Sequence, residues 1–182
     1  MSKTPPTHRE ASQPPRLIIF AGLSAVGKSA IARQLARQMG AVYLRIDSIE
    51  QALRDSGSLR GPLDDAGYRA AYAIAEDNLR LGRIVVADSV NPIAVTRNAW
   101  REVGNRAAAC VVEIEVQCSD AREHRRRAEN RTSDIPGLRL PTWDEIVSRE
   151  YEPWDREHVV IDTAAPTVDQ NVNQILEIVC RR

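Results

Sequence analysis

The 182-residue sequence has few lysines, few cysteines and no long apolar run. Lys3 and Lys28 are the only lysines among its 25 basic residues. The three cysteines are odd in number and lack metal-ligand spacing, so they argue against a disulfide framework and indicate reduced thiols. No apolar stretch approaches the length of a membrane span, and the first residues lack the apolar segment of a signal peptide. We therefore expect a cytoplasmic protein without a membrane anchor.

Acidic and basic residues balance at 25 each, so no net charge draws the chain to nucleic acid or to an anionic membrane. A local basic patch is still compatible with this balance. The length is typical of one domain with one core. Residues 1–15 are rich in Pro, Ser and Thr and have no apolar period. We expect them to be a disordered tail that precedes a single domain over residues 16–182.

One motif dominates the sequence. Residues 22–29 fit the phosphate-binding pattern Gly-x-x-x-x-Gly-Lys-Ser. The apolar run 17–21 predicts a buried strand before the motif, and the apolar period from Ile31 to Met39 predicts a helix after it. Backbone N–H groups of such a loop can cradle phosphate oxygens at the positive end of the helix. The predicted nucleotide-binding residues are Gly22, Leu23, Ser24, Ala25, Val26, Gly27, Lys28 and Ser29.

Two side chains of this loop have predicted chemical roles. Lys28 is expected to reach the β- and γ-phosphates of ATP, and the Ser29 hydroxyl is expected to ligate Mg²⁺. The scarcity of lysine supports the first role, because a chain that otherwise relies on arginine has a lysine where a compact ammonium is required. The alternative is a chance match in a glycine turn, and the flanking strand and helix argue against it.

Five apolar segments alternate with helical patterns, which predicts an α/β protein with helices on both faces of a parallel sheet. The predicted strands are 17–21, 42–46, 84–88, 109–116 and 159–162. After the first helix, further helices are predicted over 49–54, over 65–81, from Asn91-Pro92 to Val103 before Gly104, from Asp120, from Thr142 to before Pro153, and over 168–179.

Two aspartates follow predicted strands. Asp47 comes at the carboxyl end of the second strand, where open α/β sheets bind ligands, so it could orient an attacking hydroxyl and accept its proton. Alternatively, Asp47 is a helix N-cap. Asp88 ends the third strand as a Walker-B aspartate does, and could hold Mg²⁺ directly or through water. The alternative interpretation of Asp88 is an aspartate in a turn, without a metal.

Several arginines share the helix that follows Asp120. Arg127 and Arg131 are four residues apart on one face, just before a Pro- and Gly-containing loop at 132–141 that we expect to be mobile. They are candidates to neutralise charge on a transferring phosphate while a lid over about residues 125–150 excludes water. Arg125 and Arg126 fit better as part of a solvated helix face.

Phosphate loops also occur in GTPases, but the rest of the sequence disfavours that class. The guanine-reading motif Asn-Lys-x-Asp is absent, because neither lysine follows an asparagine. Asp64 and Gly67 spell Asp-x-x-Gly, yet they do not end a hydrophobic strand.

Together these features resemble the small P-loop kinases, a group that includes gluconate and shikimate kinases, chloramphenicol phosphotransferase, the kinase domain of polynucleotide kinase, and zeta toxin. The resemblance rests on the loop motif, two strand-ending aspartates each followed by serine, and an Arg-x-x-x-Arg pair. It implies a three-layer αβα P-loop NTPase fold with strand order 2-3-1-4-5, and ATP with Mg²⁺. By position, Asp47 matches the acceptor-activating aspartate, Asp88 the Walker-B-like acid, and Arg127 and Arg131 the lid arginines.

The resemblance also implies where the two substrates bind. Adenine is expected between the lid helix and residues 163–166. The acceptor is expected between the helix after the second strand, residues 59–72 and the segment after the third strand, where Ser89 and Asn91 supply polar groups. Three large aromatic residues could line this site or serve packing: Trp143, Tyr151 and Trp154.

The sequence therefore predicts an ATP-dependent kinase that transfers the γ-phosphate to a hydroxyl of a small molecule. One alternative is a polynucleotide 5′-hydroxyl kinase, which predicts a basic channel leading to Asp47. Another is a non-catalytic ATP-binding switch protein. Both a monomer and a homodimer fit the sequence, and the acceptor stays unidentified because its pocket comes from the least patterned segments.

Overall fold

A sheet of five parallel strands runs through the protein, whose computed structural model describes residues 14–57 and 61–181. The strand order is β2-β3-β1-β4-β5, which confirms the predicted order. The strands are β1 Arg16–Ala21, β2 Val42–Arg45, β3 Ile84–Asp88, β4 Cys110–Gln117 and β5 Val159–Asp162. The helices are α1 Lys28–Met39, α2 Ile46–Asp55, α3 Ala66–Arg80, α4 Ala94–Arg106, α5 Ala121–Asn130, α6 Trp143–Val147 and α7 Val168–Arg181.

Most of the predicted disordered tail lies outside the described residues. Its last residue, Pro15, already joins the sheet, because its carbonyl accepts a hydrogen bond of 2.9 Å from the backbone N–H of Cys110. The chain therefore enters the domain one residue before β1.

The central strand β1 is apolar on both faces, and its alternating side chains divide the core in two. Ile18 and Phe20 pack with residues of α1 and α7, whereas Leu17 and Ile19 pack with residues of α3 and α4. The sheet is thus the middle of three layers. Because all strands are parallel, their carboxyl ends share one edge, and the loops that follow them meet there.

The boundary between β2 and α2 differs from the prediction. The strand ends at Arg45, and the helix already begins at Ile46, whose side chain is buried in the core against α3 and α4. Asp47 consequently lies in the first turn of α2. It neither ends the strand nor serves as the N-cap, which is Arg45.

The predicted boundaries of α4 were wrong at both ends. The helix begins at Ala94 with Ile93 as its N-cap, and Asn91 lies upstream in the core, where its side-chain N–H donates to the carbonyl oxygen of Phe20, 2.9 Å away. Gly104 does not end the helix but lies inside it. A Cβ atom at Gly104 would lie 2.2 Å from Cγ2 of Val111, so the glycine allows α4 to pack closely on β4.

The two lid helices begin where the sequence predicts, directly after Asp120 and Thr142. Asp120 caps α5 by accepting hydrogen bonds from the backbone N–H groups of Arg122 and Glu123. Thr142 and Glu145 form a complete capping box on α6. That helix ends at Val147, earlier than predicted, because Ile146 is its only buried residue and further turns would have nothing to pack against.

We predict that Gly104→Ala destabilises the protein by about 1–3 kcal/mol, because the new methyl overpacks the interface between α4 and β4. Helix propensity alone would predict that the alanine increases the free energy of unfolding by about 1 kcal/mol. Urea denaturation measures the free energy of unfolding. The control, Val95→Ala, lies on the same helix at a side chain that is 73% exposed, and should change stability by less than about 0.5 kcal/mol. A Gly104→Ala protein as stable as the parent would contradict the close packing.

Candidate active site

The phosphate-loop sequence forms a tight turn between β1 and α1. Gly22 has φ +127°, and a Cβ atom there would lie 2.1 Å from the carbonyl oxygen of Val116, so no other residue fits. Ala25 also has a positive φ of 68°, a left-handed conformation that costs an alanine about 1 kcal/mol. The loop backbone is therefore tightly curved. Its N–H groups lie just before the N-terminus of α1, which is the positive end of the helix dipole.

The Lys28 side chain is buried at the base of this loop. Its Nζ donates a hydrogen bond of 2.8 Å to the carbonyl oxygen of Leu23. Burial lowers the pKa of Lys28 to about 8, and the nearby charges of Asp88 and Asp47 partly oppose this shift. The ammonium is thus held where added anionic oxygens would stabilise it.

A cavity of about 720 Å³ opens beside the loop and includes the predicted catalytic and metal-binding side chains. From the loop itself, the lining residues are Ser24, Ala25, Gly27, Lys28 and Ser29, whereas Gly22, Leu23 and Val26 do not line it. Its basic residues are Lys28, Arg45, Arg54, Arg127, Arg131, Arg139 and Arg149. Its acidic residues are Asp47, Glu50, Asp88 and Asp134. The lining is therefore positively charged in a chain without net charge, which favours anionic ligands.

Asp88 is 3% exposed and lies at the carboxyl end of β3. The hydroxyl of Tyr43 donates a hydrogen bond of 2.7 Å to its Oδ2, which orients the carboxylate. Burial and the charge of Asp88 raise the pKa of Tyr43, so the phenol stays protonated as a donor. Sequence analysis missed Tyr43, and the adjacency of β2 and β3 is what brings it to Asp88.

Asp47 lines the same cavity from the first turn of α2, with its side chain half exposed. Arg45 lies beside it, with 3.7 Å between Nε and Oδ2. A carboxylate that is open to the cavity can accept a hydrogen bond from a bound hydroxyl.

The two predicted lid arginines have different surroundings. Burial lowers the pKa of Arg131, and the charge of Asp47 opposes the shift. Its Nε is buried and has no hydrogen-bond partner among the described residues, and its Nη2 lies 3.4 Å from the carbonyl oxygen of Pro141. Arg131 therefore retains donors for a ligand in the cavity.

Arg127, by contrast, is held by protein groups. Its Nε donates to Glu123 at 2.8 Å, and its Nη1 and Nη2 donate to the hydroxyl and the carbonyl of Thr163, both at 2.9 Å. The Thr163 hydroxyl in turn donates to the carbonyl of Val26 at 2.7 Å. Arg127 thus connects α5, the segment after β5 and the phosphate loop.

His124 forms a second connection that the sequence analysis missed. Its Nε2 lies 2.8 Å from the carbonyl oxygen of Ser24, and its ring packs edge-on against Trp143 with 5.1 Å between centroids. The side chain is buried. A lone histidine within an arginine-rich helix carries no pattern that would have identified this contact.

The loop over residues 131–142 contains neither helix nor strand and borders the cavity. Asp134 pairs with both Arg33 of α1 and Arg45 of β2. These contacts, with the hydrogen bond from Arg45 first, lower the pKa of Asp134 to about 2. Gly137 approaches Gln51 of α2, because a Cβ atom there would lie 3.1 Å from the Gln51 amide nitrogen.

The predicted acceptor residues are brought together only in part. Ser89 and Tyr68 line the cavity, whereas Asn91 is used inside the core. Three aromatic residues were candidates either to line this site or to serve packing. Of these, Trp143 packs on His124. The other two, Tyr151 and Trp154, lie over the buried guanidinium of Arg97 at 5.1 and 4.4 Å. All three aromatic residues therefore serve packing.

The residues present fit a bound magnesium ion only together with a nucleotide. Ser29 and Asp88 supply oxygen ligands, which Mg²⁺ prefers, to the same cavity. Within residues 14–57 and 61–181, no group of three or more His, Cys, Asp and Glu side chains could hold a metal ion. Phosphate oxygens would have to complete the ligand set, as they do in kinases. Over the same residues, no helix is long and apolar enough to cross a bilayer.

Comparisons with known proteins agree with this geometry. A family model described as an AAA domain matches residues 17–145. A search of curated proteins finds no match.

Solved structures share this fold, and two of the three described next are kinases. The APS kinase CysC of Mycobacterium tuberculosis, in complex with AMPPNP and APS, is 19% identical with a TM-score of 0.67, covering 91% of this chain and 97% of that one. A gluconokinase from Sinorhizobium meliloti 1021 is 19% identical with a TM-score of 0.61, covering 93% and 94%. Kti12 of Chaetomium thermophilum, in complex with ADP-AlF3, is 22% identical with a TM-score of 0.64, covering 88% and 97%.

Because burial lowers the pKa of Lys28 to about 8, we predict that ATP binding at about pH 9 takes up a proton. The free protein is largely neutral at Lys28 under these conditions, and phosphate oxygens favour its charged form. Calorimetry in buffers of different ionisation enthalpy should show uptake approaching one proton per ATP. Lys28→Arg is the control, because a guanidinium keeps its proton at this pH. Equal uptake by both proteins would contradict the prediction.

We predict that His124→Ala weakens ATP binding about tenfold. The Ser24 carbonyl loses its hydrogen-bond donor, and the phosphate loop loses its contact with α5. His124→Gln, which keeps an N–H donor, should recover part of the affinity. Calorimetry with ATP measures the dissociation constant. His158→Ala, a histidine outside the cavity, should leave it unchanged. If His124→Ala lowers thermal stability but not ATP affinity, the residue serves packing alone.

Proposed function

This chain belongs to the AAA domain family, and from that premise we propose that it is an ATP-dependent phosphotransferase that moves the γ-phosphate of ATP to a hydroxyl of a small molecule. One observation carries the proposal: the phosphate loop, two aspartates and Arg131 border a single cavity. Two proteins of similar fold were solved with nucleotide ligands, AMPPNP and ADP-AlF3, which supports ATP as the donor.

Nucleotide binding would begin at the phosphate loop. Its N–H groups and the Lys28 ammonium would hold the β- and γ-phosphates, and Ser29 and Asp88 would hold Mg²⁺. When bound, the ion neutralises charge on the phosphate oxygens. Tyr43 fixes the Asp88 carboxylate for this task through its hydrogen bond of 2.7 Å. Adenine would lie towards residues 163–166, beyond the Arg127 and Thr163 contacts.

The transfer step uses Asp47 and Arg131. An acceptor hydroxyl bound next to Asp47 gives its proton to the carboxylate as its oxygen forms a bond to the γ-phosphorus. The bond from the γ-phosphorus to the bridging oxygen breaks, and ADP leaves with the electron pair. Arg131, which lines the cavity, would stabilise charge on the equatorial oxygens, while the loop over residues 131–142 would exclude water.

A polynucleotide 5′-hydroxyl kinase is less well supported. The basic lining meets its requirement for a positive channel. Single-stranded nucleic acid, however, is typically bound by aromatic side chains on which bases stack. Each Phe, Tyr and Trp of this chain is buried or half-buried, and Tyr68 alone among them lines the cavity. A small molecule is therefore the better acceptor hypothesis.

We predict that Asp47→Asn lowers acceptor-stimulated ATP turnover about 10²- to 10⁴-fold, because an amide cannot accept the hydroxyl proton. ATP affinity should change little. A panel of hydroxyl compounds in a coupled ADP-release assay, followed by detection of the phosphorylated product, measures the first quantity. Calorimetry measures the second.

Asp77→Asn serves as the control, since Asp77 is exposed on α3 outside the cavity. Its turnover should equal that of the parent. An equal stimulated rate in Asp47→Asn would remove Asp47 from the mechanism. Tight ATP binding without transfer to any acceptor would instead favour a non-catalytic switch.

A further inference from the structure

One stripe of α2 borders the cavity. Asp47, Glu50, Gln51 and Arg54 all line it, and their spacing of three and four residues places them on one helical face. From Asp47 to Arg54 the helix rises by about 10 Å. The stripe therefore leads from the carboxylate at the proposed reaction centre to a cation two turns away.

A second cation joins Arg54 at this end of the stripe. Arg149, in the segment after α6, also lines the cavity, and both arginines lower the pKa of Glu50 against the dominant effect of burial, which raises it. Arg54 is only loosely paired with Glu50, at 3.4 Å. Arg149 has no carboxylate within 4.0 Å among the described residues. Two cations thus share one carboxylate.

Three other arginines around the cavity have closer carboxylate partners. Arg45 pairs with Asp134 at 2.8 Å, Arg127 with Glu123 at 2.8 Å, and Arg139 with Glu145 at 2.7 Å. This leaves positive charge in excess at two places. One place is the phosphate loop, near Lys28 and Arg131. The other is the end of the α2 stripe, near Arg54 and Arg149.

Asp47 lies between these two places. Its charge acts on the pKa of Lys28 and Arg131 on one side and on that of Glu50 on the other. A molecule that presents a hydroxyl to Asp47 would therefore extend its remainder along the stripe towards Arg54 and Arg149. Guanidinium groups bind carboxylate and phosphate oxygens strongly.

We propose that the acceptor is an anionic hydroxy compound whose carboxylate or phosphate group binds between Arg54 and Arg149 while its hydroxyl lies at Asp47. The proposal rests on the proposed function and adds the chemical class of the acceptor. The anion displaces the loose contact between Arg54 and Glu50 and neutralises Arg149. The reach of about 10 Å along α2 limits the acceptor to a small molecule such as a hydroxy acid or a sugar phosphate.

The first experiment measures anion binding without requiring the true acceptor. The protein is saturated with AMPPNP and Mg²⁺, so that the phosphate loop is filled, and inorganic phosphate or acetate is titrated by calorimetry. Phosphate and acetate distinguish the two possible anionic groups. The double variant Arg54→Gln/Arg149→Gln should lose at least tenfold in affinity for the preferred anion. Arg80→Gln, on α3 outside the cavity, should bind it as the parent does.

The second experiment compares matched acceptors in the ADP-release assay: glycerate and glycerol 3-phosphate against glycerol, gluconate against glucitol, and a 5′-hydroxyl oligonucleotide. An anionic small molecule should give the highest kcat/KM. The double variant should raise its KM with little change in kcat, because the arginines bind the acceptor without contacting the reacting atoms.

Three results would overturn the acceptor class: unchanged anion affinity in the double variant, no anion binding by the AMPPNP complex, or transfer only to neutral polyols or to the oligonucleotide. The proposed function fails differently. AMPPNP would then not bind the parent protein, or would bind Lys28→Ala equally well. A parent protein that binds AMPPNP but no anion therefore refutes the acceptor class and leaves the nucleotide site intact.

Discussion

The arrangement of this site depends on the burial of one ammonium group. Taking Lys28 out of water penalises its charged form, which is why its pKa is lowered to about 8. Among the residues that the structure describes, the Leu23 carbonyl and the more distant carboxylates of Asp47 and Asp88 compensate for this penalty. Phosphate oxygens would complete that compensation. The loop thus holds in advance a charge that a nucleotide stabilises, which is the preorganisation that electrostatic catalysis requires.

The same loop is braced from outside. His124 and Thr163 bond to the carbonyls of Ser24 and Val26, at 2.8 and 2.7 Å, and these contacts use none of the N–H groups of the loop. Arg127 joins both bracing segments through Thr163. Because His124 and Arg127 belong to α5, the base of the lid and the phosphate loop form one connected unit. A displacement of α5 would therefore be transmitted to the nucleotide site.

Arginine has several distinct tasks around the cavity. Arg127 and Arg45 form ion pairs with protein carboxylates at the border of the cavity. Arg131, by contrast, has a buried N–H donor without a partner among the described residues. Arg54 and Arg149 stand apart from both groups, beside a single carboxylate. The zero net charge of the chain conceals this division, because seven basic but only four acidic residues line the cavity. Local pairing, more than composition, determines what such a cavity attracts.

The sequence by itself determined the alternation of five strands with helices, the loop and the strand-ending Asp88, because these follow from local patterns: apolar period, glycine spacing and strand ends. The strand order was implied only by the resemblance to small P-loop kinases, and the structure confirms it. Its errors fell where packing overrides local preference, at Ile46, whose burial starts α2, and at Gly104, which lets α4 approach β4. Only the tertiary structure decided the contacts of Tyr43 with Asp88 and of His124 with Ser24. Residues 100 positions apart in the chain carry no mutual signal in one sequence, and their contact arises only when the sheet brings the loops at its carboxyl edge together.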